Sequence, residues 1–261
     1  MNNLLKCQWY QLKHNSLFWL TIAIPLIFAL IIIQPAYLKD APMVPDIPHN
    51  LQGLFMAATA DCIFPLLIIA GAFTAMLFGQ QFSGRTIDCE ISAGHNRSTI
   101  FISRCIVSFI LLNAAVLIAI LIGCIRCAFW ISWPSVSEVV PYFIRTILLL
   151  SLLDFSLFSA CIFFAVLFKD AAKTMAVSAL FLLIACWFMA GLLQYTSKVP
   201  GTLYTNTPGL ALLIHPAYLM REVLQIKLNL QSCIEAVAVS IGWMALFLGS
   251  GYCVFRRSEL K

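Results

Sequence analysis

Long apolar runs alternate with short polar segments along this chain, and each run has the length of a membrane-spanning helix. The runs occupy residues 16–33, 53–78, 100–122, 141–168, 173–193 and 233–255. About 20 consecutive apolar residues are enough for an α-helix to cross the hydrocarbon core of a bilayer. The pattern therefore predicts an all-α integral membrane protein with six spans.

The polar segment before the first run, residues 1–15, keeps a helical period. Leu5, Trp9 and Leu12 fall on one side of a helix, with Lys6 and Lys13 toward another. This favours an interfacial helix that lies on the membrane surface. A secretory signal peptide is the alternative, but the polar lead and the apolar run are both too long for one, and no A-x-A cleavage site follows.

The composition agrees with a membrane protein and excludes several other classes. Hydrophobic residues make up 62% of the 261 positions and charged residues only 10%, whereas soluble domains have about 25% charged residues. The net charge of +5 comes from cations at the ends of apolar runs, so it does not indicate nucleic-acid binding. The ten cysteines are dispersed without zinc spacing and are expected to pack as small apolar residues. For the single close pair, Cys124 and Cys127, oxidation is the alternative.

The distribution of cations indicates the orientation. Ten of the 16 lysines and arginines lie on the side of the bundle that carries both termini. Because cytoplasmic loops are enriched in these residues, we expect both termini in the cytoplasm, which places the loop after the second run there as well.

That loop, residues 79–104, is the longest polar interruption between two strongly apolar runs. Ser83 is predicted as the N-cap of a short helix from Arg85 to Ala93, which Gly94 ends, and Ser98 or Thr99 is expected to cap the next span. Within the helix Ile87 and Ile91 are four residues apart, and Asp88 can meet Arg85. The sequence leaves two readings open: a helix that docks a cytoplasmic partner, or an ordinary positively charged loop.

Two carboxylates are candidates for a substrate path or a gate. Asp154 lies near the middle of the fourth run, and Asp61 lies toward the outer end of the second. A carboxylate at membrane depth is costly unless it is paired, neutral or in a cavity. A packing role for Asp154 is the alternative.

Motifs for catalysis are missing. The sequence contains no G-x-x-x-x-G-K-[ST], no G-x-S-x-G and no H-E-x-x-H. We therefore predict neither an ATPase nor another enzyme, and no cofactor or metal in this chain. Residues 195–232 are too long and too apolar for a simple turn, so we expect short helices on the outer side there.

The layout, with the charged segment "FSGRTIDCEISAGHNRSTIFISR" after the second run and "HPAYLM" before the sixth, resembles an ABC-2 type permease. It is similar in particular to permease subunits of bacterial bacitracin-resistance and lantibiotic-immunity exporters. The resemblance implies a six-span, type V exporter-like fold in a bacterial cell membrane. It also implies export of a hydrophobic or amphipathic substrate, such as a peptide antibiotic, a toxin-like peptide or a lipophilic drug.

The resemblance also implies partners. Residues 83–93 correspond to a coupling helix that docks on a separate ABC ATPase, with Arg85, Asp88 and Glu90 as polar contacts and Ile87 and Ile91 as apolar contacts. Two ATPase subunits, which bind ATP and Mg²⁺, and a second permease subunit complete such a transporter. Two rival interpretations remain: a membrane immunity or sensor subunit that binds a peptide without moving it, and a secondary transporter.

Overall fold

The computed structural model describes residues 2–32, 63–127, 136–197, 215–224 and 228–257, and every element in these ranges is an α-helix. The helices are α1 (Asn2–Lys13), α2 (Ser16–Ile32), α3 (Ile63–Ser83), α4 (Thr86–Ser92), α5 (Arg97–Cys127), α6 (Val136–Phe168), α7 (Ala171–Ser197), α8 (Pro216–Val223) and α9 (Leu230–Arg257).

Four of the described helices, α3, α5, α6 and α9, are long and apolar enough to cross a membrane. The pair α1 and α2, which is bent by 69°, makes a fifth candidate if it is counted as one span. In α7 the side chains are described as far as Cys186, and this apolar stretch is shorter than a span. The architecture is that of a multi-pass membrane protein, and the count of six spans stays a prediction.

The long helices pack around one core. α6 lies along α9, α3 lies along α7, and α2 contacts both α3 and α5. The crossing of α3 and α7 is close at Gly79, where an added Cβ would meet Thr174 Oγ1 at 3.0 Å and the backbone of Asp170 and Ala171 at 3.1 Å. Small residues allow helix backbones to approach in this way, so Gly79 is what permits α3 and α7 to pack this closely.

α1 turns a different face to the protein from the one that its sequence predicts. Leu4, Gln8 and Leu12 are buried, whereas Trp9 is 37% exposed. The prediction that Leu5 and Trp9 share the apolar side with Leu12 is therefore wrong in part. The face of α1 that is buried is the one that contacts α5, where Gln8 Nε2 donates a hydrogen bond to Ser103 Oγ over 3.0 Å.

Several helix boundaries in the structure differ from the predicted ones. α6 begins at Val136 rather than at Pro141, which lies inside the helix, and α9 begins at Leu230 rather than at residue 233. α7 starts after a break at Lys169 and Asp170, where Asp170 Oδ1 accepts the backbone N–H of Lys173 at 2.9 Å. In the outer segment 195–232, α8 provides one short helix.

Some predictions lie outside the described residues. Asp61 and the predicted start of the second span, residues 53–62, are among them. Cys124 and Cys127 belong to the last turn of α5, but their side chains are also outside the description. The structure therefore does not test whether this pair packs as thiols or is oxidised.

Candidate functional site

The polar loop between α3 and α5 does contain a short helix, α4, but its start differs from the prediction. α4 begins at Thr86, and Arg85 occupies the N-cap position with a left-handed backbone, φ 53°, and no side-chain cap. Ser83 is not the N-cap: it ends α3, and its Oγ donates to the carbonyl of Gln80 over 3.1 Å. Thr86 Oγ1 in turn donates to the carbonyl of Gln81 over 2.8 Å, which ties the start of α4 back to α3.

The end of α4 follows the prediction more closely. Gly94 has φ 87°, and its N–H donates to the carbonyl of Ile91 over 2.9 Å. Glycine adopts this conformation without the Cβ clash that other residues suffer, so its predicted role as the helix stop is confirmed. The cap of α5 is Asn96 rather than Ser98 or Thr99, because Asn96 Oδ1 accepts the N–H of Ser98 at 3.2 Å.

The inward face of α4 is anchored to the bundle. Ile87 is 1% exposed and belongs to the main hydrophobic core. Glu90, one turn further on, is also buried. Because both side chains are buried, neither Ile87 nor Glu90 can contact another protein directly. This corrects the expectation that both do.

Glu90 forms a buried ion pair with Arg104 of α5. Glu90 Oε2 lies 2.9 Å from Arg104 Nη2, and the two side chains are 9% and 2% exposed. The distance is that of an ion pair, and among the described residues Arg104 Nε and Nη1 have no hydrogen-bond partner. Charge attraction therefore joins α4 to α5. The expected pair of Asp88 with Arg85 is not among the ion pairs of the described residues.

The outward face of α4 remains accessible. Arg85, Cys89 and Ser92 are exposed, and Asp88 and Ile91 are partly exposed. Ile91 also packs against the main core on the side of Ile87, so we call the other four residues, Arg85, Asp88, Cys89 and Ser92, the α4 surface. Of the five residues predicted to contact a partner, Arg85 and Asp88 thus lie on the α4 surface, and Ile91 is only partly exposed.

Polar side chains join the elements that lie beside α4. Asn15, between α1 and α2, donates to Gln80 Oε1 of α3 over 2.8 Å. A cavity of about 290 Å³ beside this bond is lined by Gln11, Gln80, Gln81 and Thr86 among others. α1 and α3 thus lie beside α4, which also contacts α5, and we call this the α4 end of the bundle.

Asp154 lies away from the α4 end. It is 2% exposed, and its Oδ1 has no hydrogen-bond partner among the described residues. Arg145 of the same helix lies over the ring of Tyr142, with 5.4 Å between the guanidinium carbon and the ring centroid. The burial fits a polar point inside the bundle, and the role of Asp154 in a path or gate stays a prediction.

The sequence reasoning missed Arg104, which it used only as an orientation signal. The available clue was its position, since it follows "STIFIS" and precedes "CIVSFILL". A charge so placed requires a partner, and Glu90 is a carboxylate in the adjoining loop. The reasoning also missed Cys89 and Ser92 on the α4 surface.

Long apolar helices around a common core, with a short helix packed at one end, are the architecture of a multi-pass membrane subunit. The family model described as ABC-2 family transporter protein matches residues 4–186, which is most of the chain. The chain therefore belongs to the ABC-2 family, as its sequence suggested, and it is an ABC transporter permease. Membership implies an ABC ATPase as partner. No curated protein sequence matches the chain.

Proposed function

We propose that this permease exports a hydrophobic or amphipathic substrate, such as a peptide antibiotic, and that its ATPase docks on the α4 surface. The observation that carries the proposal is the two-sided arrangement of α4. One face is anchored to α5 through the buried pair of Glu90 and Arg104, and the other face presents Arg85, Asp88 and Cys89. A sensor subunit that moves nothing does not require such an anchored helix.

The connections of α4 suggest how force enters the bundle. An ATPase that pushes on the α4 surface moves Glu90, and Arg104 transmits this movement to α5. α3 is engaged at the same time, because Thr86 is hydrogen-bonded to Gln81. Two ATPases and two permeases, with both termini of each permease in the cytoplasm of a bacterial cell, complete the proposed transporter.

A charge reversal tests the docking step. Arg85→Glu combined with Asp88→Lys keeps the net charge but inverts the polarity of the α4 surface. Rim charges contribute to partner choice and association rate, so we expect a co-expressed ATPase to be lost during purification. Glu235→Lys, a reversal near the start of α9, away from the α4 end, is the control. If the double variant retains the ATPase as well as the control does, the docking surface is elsewhere.

The substrate class requires a separate measurement. Cells that express the permease with its ATPase should grow at higher concentrations of bacitracin or of a lantibiotic than cells with the reversed α4 surface. Equal resistance in the two strains, with the ATPase present in the wild-type complex only, would argue against peptide export while leaving the docking proposal intact.

A further inference from the structure

An open apolar groove runs between α5, α6 and α9, starting at the α4 end of the bundle. Its volume is about 720 Å³, and its walls include Phe101, Ile102 and Phe109 of α5, Phe155 of α6, and Leu248 and Gly249 of α9. The rings of Phe109 and Phe155 are in contact, with centroids 4.7 Å apart, and close the deep end. Ile102 and Gly249 are exposed, so the groove is open along its side.

The length of the groove matches one leaflet of a bilayer. From Ser98 at the mouth to Phe109 at the deep end there are 11 helical positions, which correspond to about 16 Å at the rise of an α-helix. Half of the hydrocarbon core of a bilayer is about 15 Å thick. An acyl chain that enters at headgroup level therefore reaches the deep end at about the membrane midplane.

The mouth of the groove is polar and positively charged. Ser98 Oγ and Tyr252 Oη are 2.7 Å apart and join α5 to α9 at this level. Arg97 Nη1 donates to the backbone carbonyl of Arg256 over 3.0 Å, which brings these two arginines together. Arg257 follows directly, and both arginines of α9 are exposed. Three arginines therefore lie in the helical turns next to the end at which the apolar walls stop.

We propose that this groove binds an anionic phospholipid, with an acyl chain between α5 and α9 and the phosphate among Arg97, Arg256 and Arg257. Basic pockets between membrane helices at headgroup level attract anionic lipid heads, and guanidinium groups pair with phosphate in a bidentate way. The proposal goes beyond the proposed function, because it assigns a lipid to a face that takes no part in docking the ATPase.

Charge also argues against a second copy of the chain in the groove. A symmetric dimer interface brings the same patch of both subunits together. Across such an interface the three arginines of one copy would approach those of the other, and like charges oppose association. An anionic lipid instead neutralises the arginines and covers the apolar walls at the same time.

Two kinds of variant separate the headgroup from the acyl chain. The triple variant Arg97→Gln, Arg256→Gln, Arg257→Gln removes the positive mouth, and Lys6→Gln, Lys13→Gln, Lys173→Gln is its charge-matched control from exposed positions. Gly249→Phe fills the groove. Gly242→Phe is its control, because a side chain at either glycine has nothing within 4 Å of its Cβ, and Gly242 is not among the groove residues.

The measurement is lipid binding by native mass spectrometry on the delipidated full chain, with dioleoylphosphatidylglycerol and dioleoylphosphatidylcholine as probes. We expect the wild type to bind the glycerol lipid at least tenfold more tightly than the choline lipid. The arginine triple variant should lose this preference, since each cation contributes about fivefold. Gly249→Phe should weaken binding of both lipids at least tenfold, and both controls should behave like the wild type.

Three results would overturn the proposal. The first is a wild type that does not distinguish the two lipids, and the second is a Gly249→Phe variant that binds both as Gly242→Phe does. The third is a wild-type dimer that Gly249→Phe dissociates, since the groove would then be an interface between copies. If the triple variant does not fold, Arg256→Gln alone should lower the preference about fivefold, since Arg256 lies one turn beyond Tyr252 at the mouth. None of these measurements involves the ATPase, so this proposal and the proposed function fail separately.

Discussion

The buried pair of Glu90 and Arg104 makes the sharpest prediction, because breaking it from one side should cost more than removing it altogether. Arg104→Met leaves the buried Glu90 carboxylate without its positive partner. An unpaired buried charge destabilises a protein by about 3–5 kcal/mol. The double variant Glu90→Leu, Arg104→Met replaces both charges by apolar side chains and leaves no charge unpaired.

The magnitude follows from the environment of the pair. Among the described residues Arg104 Nε and Nη1 have no hydrogen-bond partner, so little besides the charge attraction offsets the cost of burying the two ions. Apolar replacement of a buried pair is often neutral or stabilising by about 1–4 kcal/mol. We therefore expect Arg104→Met to lower the unfolding midpoint by about 6–20 °C, at about 2–4 °C for each kcal/mol, and the double variant to restore it.

Buried thiols provide the assay. Cys105, Cys161 and Cys186 are free and buried, so a thiol-reactive dye reports their exposure when the purified chain is heated in detergent. Asp88→Leu removes a carboxylate from the partly exposed face of the same helix and serves as the control, with an expected effect within about 0.5 kcal/mol.

A double-mutant cycle tests whether Glu90 and Arg104 stabilise the protein as a pair. The reasoning predicts a coupling energy of at least about 3 kcal/mol between positions 90 and 104. Additive single effects, or an Arg104→Met variant as stable as Asp88→Leu, would refute the claim that this pair anchors α4.

Three further predictions concern other parts of the bundle. Gly79→Leu should destabilise the protein by about 1–3 kcal/mol through overpacking against α7, whereas Gly242→Leu, with open space around its Cβ, should not; equal thermal midpoints would contradict this. Burial lowers the pKa of His215 below its usual 6.5, and its Nδ1 accepts the N–H of Ala217 over 3.2 Å as the cap of α8. The unfolded chain therefore binds the proton more tightly, so stability should be full above about pH 6.5 and fall below it, while His215→Asn should show no such fall in thermal unfolding between pH 5.5 and 8. Asp154→Asn should preserve folding and assembly but alter ATP-dependent transport in vesicles, and unchanged transport would assign Asp154 to packing.

The sequence by itself determined the class of protein and much of its local structure. Apolar runs of span length predict membrane helices whatever their neighbours are, because the bilayer requires the backbone to be hydrogen-bonded internally. Gly94 was also predictable, since a left-handed helix stop favours glycine over other residues. The same local reasoning chose the wrong caps at Ser83 and Ser98, because several polar residues in each turn are able to cap and the path of the chain selects one.

Only the tertiary structure decided which faces are covered. Helical spacing shows that Ile87 and Ile91 share a side of α4, but not that Ile87 is fully buried in the core while Ile91 stays partly exposed. It likewise could not assign Glu90 to Arg104, since 14 positions and a turn separate them in the chain. The burial of a charge depends on what packs against it, and this is why the pair that anchors the candidate docking helix became visible only in the folded molecule.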